Sequence, residues 1–165
     1  MADHPAYTYR AMCADLGHVL INWAGAEQWL DMCVTLVFQN SPESKTYEKT
    51  LPQGLTRKTI FMRKSLLNIA ELRDFSDPGI IVMGRLEDTA KARNDMIHAA
   101  LSSTKAINGK WHFLKFDYGS QIHTVRPVAY SHADYQEAGK EMMALATDVQ
   151  RLAERLRKFY LPQLQ

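Results

Sequence analysis

The stretch Lys91-Ala92-Arg93-Asn94-Asp95-Met96-Ile97-His98-Ala99-Ala100-Leu101 decides how the rest of the chain is read. Its apolar members extend a stripe through Ile81, Met83, Leu86, Ala90, Ile97 and Leu101, a spacing that predicts the closing turns of a helix. Arg93, Asn94 and His98 interrupt that stripe. On a helix Asn94 and His98 share a face, while Arg93 sits about 100° round from Asn94 and can bind from the flank. Arg offers a planar fork for phosphate, His titrates near neutral pH, and Asn can orient a phosphate oxygen or a neighbouring imidazole. Such a group suits phosphodiester chemistry.

Working upstream, Asp74-Phe75-Ser76-Asp77-Pro78 reads as a stop followed by a start, with Asp77 as N-cap and the helix beginning near Pro78. Before it, Leu55, Met62, Leu66 and Ile69 mark a second helix whose Arg57-Lys58 and Arg63-Lys64 pairs turn outward. Asn40 to Gly54 is a loop rich in Ser, Thr, Lys and Glu. The first helix runs from about Tyr9 to Phe38 on a seam of Leu16, Leu20, Trp23, Glu27, Leu30, Val34 and Val37. Glu27 is the odd member. A carboxylate in an apolar seam needs a cation or a donor, or else a proton, so it is a candidate partner for Arg93 or His98, with exposure to solvent the alternative.

Working downstream, Ser102 to Gly109 has turn chemistry and no period. Trp111 to Phe116 and Ile122 to Val128 then read as a β-hairpin around Asp117-Tyr118-Gly119-Ser120, Pro127 confining its strand to an edge. His112 and His123 could face one another across it, although a metal would need a third ligand that the sequence does not place. Ser131 and Asp134 can cap a last helix, whose seam is Met142, Leu145, Val149, Leu152, Leu156 and Phe159. These elements predict a mainly all-α, single-domain chain over residues 1–165: an up-and-down four-helix bundle with a β-hairpin inserted between helices 3 and 4.

An Arg, a small polar residue, three further residues and a His, late in the third long helix of a small helical protein, resemble the signature of the HEPN superfamily. Here they are Arg93-Asn94-Asp95-Met96-Ile97-His98. At this chain's composition the Arg-Asn form arises by chance about once in a hundred such sequences. The pair Trp23 and Glu27 in the first helix, the β-like insertion after the His and the long closing helix extend the likeness to a bacterial branch over most of the chain. The resemblance implies a metal-independent endoribonuclease acting on single-stranded RNA, of the kind met in toxin–antitoxin and defence systems, with no metal or cofactor. It also implies a homodimer in which Arg93, Asn94 and His98 of two subunits form one composite site. The chain departs from many catalytic members in carrying Ala100 where they have a Tyr two residues after the His. That departure leaves open a second reading, a non-catalytic or antitoxin-like module for RNA, a nucleotide or a nucleotidyltransferase partner.

Charge and composition set bounds. A formal net charge of +2 excludes a chain that binds nucleic acid through overall basicity, so only a local surplus could serve. Between Ser41 and Lys64, the basic residues Lys45, Lys49, Arg57, Lys58, Arg63 and Lys64 face only Glu43 and Glu48, which makes Arg57, Lys58, Arg63 and Lys64 candidates for phosphate contact; a solvated helix face explains them equally well. No apolar run approaches the roughly 20 residues that span a bilayer, and the N-terminus has no export signal, so a cytoplasmic protein without a membrane partner is expected. Cys13 and Cys33 are expected to be buried thiols.

Overall fold

In a computed structural model, which describes residues 7–118 and 123–162, the elements run α1 (Tyr9–Asn40), α2 (Leu55–Asn68), α3 (Ser76–Ile97), β1 (Ala99–Leu101), β2 (Lys110–Tyr118), β3 (His123–Ser131) and α4 (His132–Tyr160). Short 3-10 turns at Pro42–Thr46 and Ala70–Phe75 join the first three helices. Helix accounts for 72% of the described residues, and the three strands form one antiparallel sheet in the order β1-β2-β3. The mainly helical class with a β insertion between α3 and α4 therefore holds. The chain groups into two compact units, Met1–Asn22 with Ala90–Glu141 and Trp23–Thr89 with Met142–Gln165, and α1, α3 and α4 each contribute to both.

The second unit is built from helices alone. Leu30, Val34 and Val37 of α1, Met62 and Leu66 of α2, Met83 and Leu86 of α3, and Leu145, Val149 and Leu156 of α4 are buried, as their spacing predicts, and Phe61, outside the expected α2 stripe, is buried with them. Gly79 allows α3 to approach α2 closely: a Cβ there would come within 2.4 Å of the Leu66 Cδ1. The third helix starts at Ser76 rather than near Pro78, so Asp77 and Pro78 lie inside its first turn. Proline is harmless there, because the N–H it lacks would have had no partner within the helix. Ile81, assigned to the stripe, is exposed, and Val82 takes the buried place.

The first unit combines the start of α1, the end of α3, the sheet and the start of α4. Met12, Val19, Met96, Trp111, Phe113, Tyr135 and Ala138 are buried within it. Along α1 the buried residues are Met12, Asp15 and Val19, one position out of step with the expected Leu16 and Leu20. Ser131 and Asp134 cap α4 reciprocally: the Ser131 N–H donates to Asp134 Oδ2 at 2.7 Å and the Asp134 N–H to Ser131 Oγ at 3.2 Å.

The end of α3 differs most from its sequence reading. The helix stops at Ile97, and Ala99, Ala100 and Leu101 leave it to pair with Lys115, Leu114 and Phe113 as β1. Ser102 N extends this pairing to His112 O at 2.9 Å, and Asn108 and Gly109, both at positive φ, form the tight turn that returns the chain into β2. The expected hairpin is thus two strands of a three-stranded sheet. His112 pairs with Ala129 and His123 with Tyr118, so the two histidines do not face one another. The expected turn residues Gly119 and Ser120, the start of the second strand at Ile122 and the first six residues lie outside the described residues.

Candidate functional site

Arg93, Asn94 and His98 remain together where α3 ends. The His98 N–H donates to Asn94 O at 3.0 Å, which closes the last helical turn although His98 itself stands just beyond the helix. Arg93 Nη1 donates to Asn94 Oδ1 at 2.9 Å, so the guanidinium and the amide act as one unit. Asn94 and His98 are exposed and Arg93 is half-buried. Arg93 continues the Leu86–Ala90 line of α3, and its Nε is buried.

Four charged residues that sequence reasoning passed over hold this turn. Lys115, only 8% exposed, donates from Nζ to the Asn94 carbonyl at 3.1 Å and stands 3.9 Å from Asp95. A carbonyl oxygen can accept two hydrogen bonds, and here a strand lysine adds a second to the one Asn94 already accepts from the His98 N–H. Arg126 spans Asp95, at 2.6 Å from Nη2, and Asp117, at 2.7 Å from Nε; hydrogen bonds to Asp95 and then Asp117 hold its pKa above the ordinary arginine value. Strand alternation was the available signal. Lys115 follows Trp111 and Phe113 on the inward-facing row of β2, where a lysine must find an acceptor.

Glu27 lies in the second unit, half-buried on the shoulder of the α1 stripe beside the fully buried Ala26, whereas Arg93 and His98 belong to the first. Three of the four candidate cations are ion-paired. Arg57 pairs with Glu48 at 2.6 Å, Arg63 with Glu87 at 3.0 Å and Lys58 with Asp31, while Lys64 is exposed. Asp31 and Glu87 come from α1 and α3, outside the window in which the surplus is counted. The Lys58–Asp31 pair lines a cavity of about 180 Å³ together with Leu51, Pro52 and Gln53.

A second polar cluster, unforeseen from the sequence, lies at the start of α1. Asp15, 6% exposed, accepts from the Tyr7 hydroxyl at 2.6 Å, His132 Nδ1 at 2.7 Å and Gln136 Nε2 at 2.9 Å. Burial alone would raise its pKa, but these hydrogen bonds outweigh burial and hold the carboxyl below its ordinary value. Cys13 is exposed, contrary to expectation, because the buried stripe passes through Met12 and Asp15; Cys33 is buried and its thiol is pushed up to about 12 by desolvation. Neither forms a disulfide.

Among the described residues no group of three or more His, Cys, Asp or Glu is placed to hold a metal ion, and no helix is long and apolar enough to cross a membrane. Comparison with protein-family models, with curated proteins and with solved structures finds no match to this chain.

Proposed function

We propose that the chain is an HEPN-like, metal-independent endoribonuclease acting on single-stranded RNA, with Arg93, Asn94 and His98 as its site. The observation that carries this reading is the exposed His98 imidazole one turn from a hydrogen-bonded Arg93–Asn94 pair. In the reaction one His98 takes the proton of a ribose 2′-hydroxyl, the 2′-oxygen attacks phosphorus, and the bond to the 5′-oxygen breaks as that oxygen is protonated. Arg93 neutralises charge gathering on the phosphate, and the Asn94 amide orients it. A base and an acid are both required, and each chain brings one His98 to this turn; a homodimer supplies the second. Lys64, exposed on α2, is a separate candidate for phosphate contact.

The test is cleavage of single-stranded RNA by purified protein in excess EDTA. His98→Ala is expected to lose about 10² to 10⁴ in rate. Because the Arg93 stem is half-buried, Arg93→Lys, which keeps stem and charge but loses the fork, accompanies Arg93→Ala. Cleavage that EDTA abolishes, or that survives both His98→Ala and Arg93→Ala, rules the site out.

A second reading is a binding module of the same kind without catalysis, for RNA, a nucleotide or a nucleotidyltransferase partner. It is favoured by Ala100, which offers no hydroxyl two residues after His98, and by Asn94 Oδ1 being already occupied by Arg93. RNA bound with micromolar affinity and recovered uncut would select it.

A further inference from the structure

An antiparallel sheet with one solvated face ordinarily alternates apolar residues inward with polar residues outward. This sheet does not. Its inward row on β2 is Trp111, Phe113 and Lys115, all buried, yet the intervening outward residues Leu114 and Phe116 are also apolar and are exposed. The register brings Ala100 and Pro127 beside Leu114, and Val125 beside Phe116, and these too are exposed. The outward face therefore carries a continuous apolar patch, with Phe116 43% and Val125 53% exposed. The half-buried His112 and Ala129 continue it without adding a formal charge.

We propose that this outward face of the sheet is where a second copy of the chain docks. Charge distribution selects that occupant over RNA. The neighbouring strand cations, Lys115 and Arg126, pair across β2 and β3 on the opposite face and are engaged by the Asn94 carbonyl, Asp95 and Asp117. Lys110 opens the same row beyond His112 but stands in the field of Asp134, so a polyanion finds no cation among Leu114, Phe116, Val125 and Pro127, and a two-fold pairing of those residues with themselves brings no like charges together. Position selects it as well. Continuing the β1–β2 register by one residue places His98 opposite Phe116, at the rim of the patch. This surface rests on the composite-site reading for its link to chemistry, but not for its existence.

Sedimentation of the full chain at about 50 µM tests it, since a specific interface of ordinary size holds a dimer at that concentration. Phe116→Asp and Val125→Asp, made separately, are each expected to raise the dimer dissociation constant at least about tenfold while the circular dichroism spectrum is unchanged. Leu67→Asp, at an exposed apolar position on α2, should leave it unaltered. If an aspartate variant fails to fold, Val125→Cys in a Cys13→Ser background replaces it, and a short bis-maleimide should link two chains through the introduced thiol. A monomeric wild-type protein, a dimer indifferent to the face substitutions, or a thiol that never crosslinks overturns the proposal. RNA cleavage assayed in parallel separates the two readings. A dimer broken by Phe116→Asp but devoid of cleavage keeps this surface and removes the ribonuclease, and cleavage by a strictly monomeric protein does the reverse.

Discussion

Asp15 and His132 form a 2.7 Å hydrogen bond between a carboxylate 6% exposed and an imidazole side chain 61% exposed. An ionised carboxylate can only accept, so His132 Nδ1 carries the proton and Nε2 is left as the second ring nitrogen. The bond ties the first turns of α1 to the first turn of α4 within one unit.

Replacing Asp15 by Ala leaves the donors of Tyr7, His132 and Gln136 without their shared acceptor and is expected to cost about 2 to 4 kcal/mol. Because folding holds the Asp15 pKa below its ordinary 3.8, its contribution is fully present above about pH 4 and is lost as pH falls through the lower folded value. Urea unfolding between pH 2 and pH 6 should show that loss in the wild type and a flatter profile in Asp15→Asn. Equal slopes in the two proteins would mean that Asp15 is not linked to folding in this way.

Lys115→Met keeps the buried stem and removes the donor to the Asn94 carbonyl. A loss of about 1 to 2 kcal/mol is expected, together with faster amide exchange at His98, whose own N–H shares that carbonyl. Unchanged exchange at His98 would show that the last turn of α3 holds without the lysine.

Arg57→Ala and Arg63→Ala should leave the salt dependence of RNA binding unchanged, since Glu48 and Glu87 already hold those guanidinium groups. Lys64→Ala should lower the slope of log affinity against log salt by about one. A fall of about one for each arginine variant would instead mean that phosphate displaces both carboxylates.

Gly79→Ala is expected to destabilise the protein by about 1 to 3 kcal/mol, because the added Cβ meets the buried Leu66 side chain. Gly17→Ala, where the added Cβ meets nothing within 4 Å, should be stabilising by about 0.5 to 1 kcal/mol. Thermal unfolding of the two variants compares them directly.

If the ribonuclease reading holds, the products should end in a 5′-hydroxyl and a 2′,3′-cyclic phosphate or its 3′-phosphate, because the nucleophile is the substrate's own 2′-hydroxyl. End-labelling with and without phosphatase reads this out, and 5′-phosphate products would require a water nucleophile and a different site.

Local periodicity by itself determined the four helices, the α4 cap and the two longer strands, because a helix stripe or a strand alternation is written in residues a few positions apart. It also brought Arg93, Asn94 and His98 to one turn, since their spacing is itself helical. What the tertiary structure decided was which charges are available. Arg57, Lys58 and Arg63 look like a surplus in one window of sequence, yet two of their partners, Asp31 and Glu87, come from other helices. Asp15 occupies a position that the stripe would give to an apolar residue because Tyr7, His132 and Gln136 offset its desolvation. The end of α3 was settled in the same way: residues 99–101 have a helical pattern, but β2 offers them a ladder, and Lys115 adds a second donor to the Asn94 carbonyl of the last helical turn. Hydrogen-bond and ion-pair partners far apart in the chain carry no periodic signature, so only the folded arrangement reveals them.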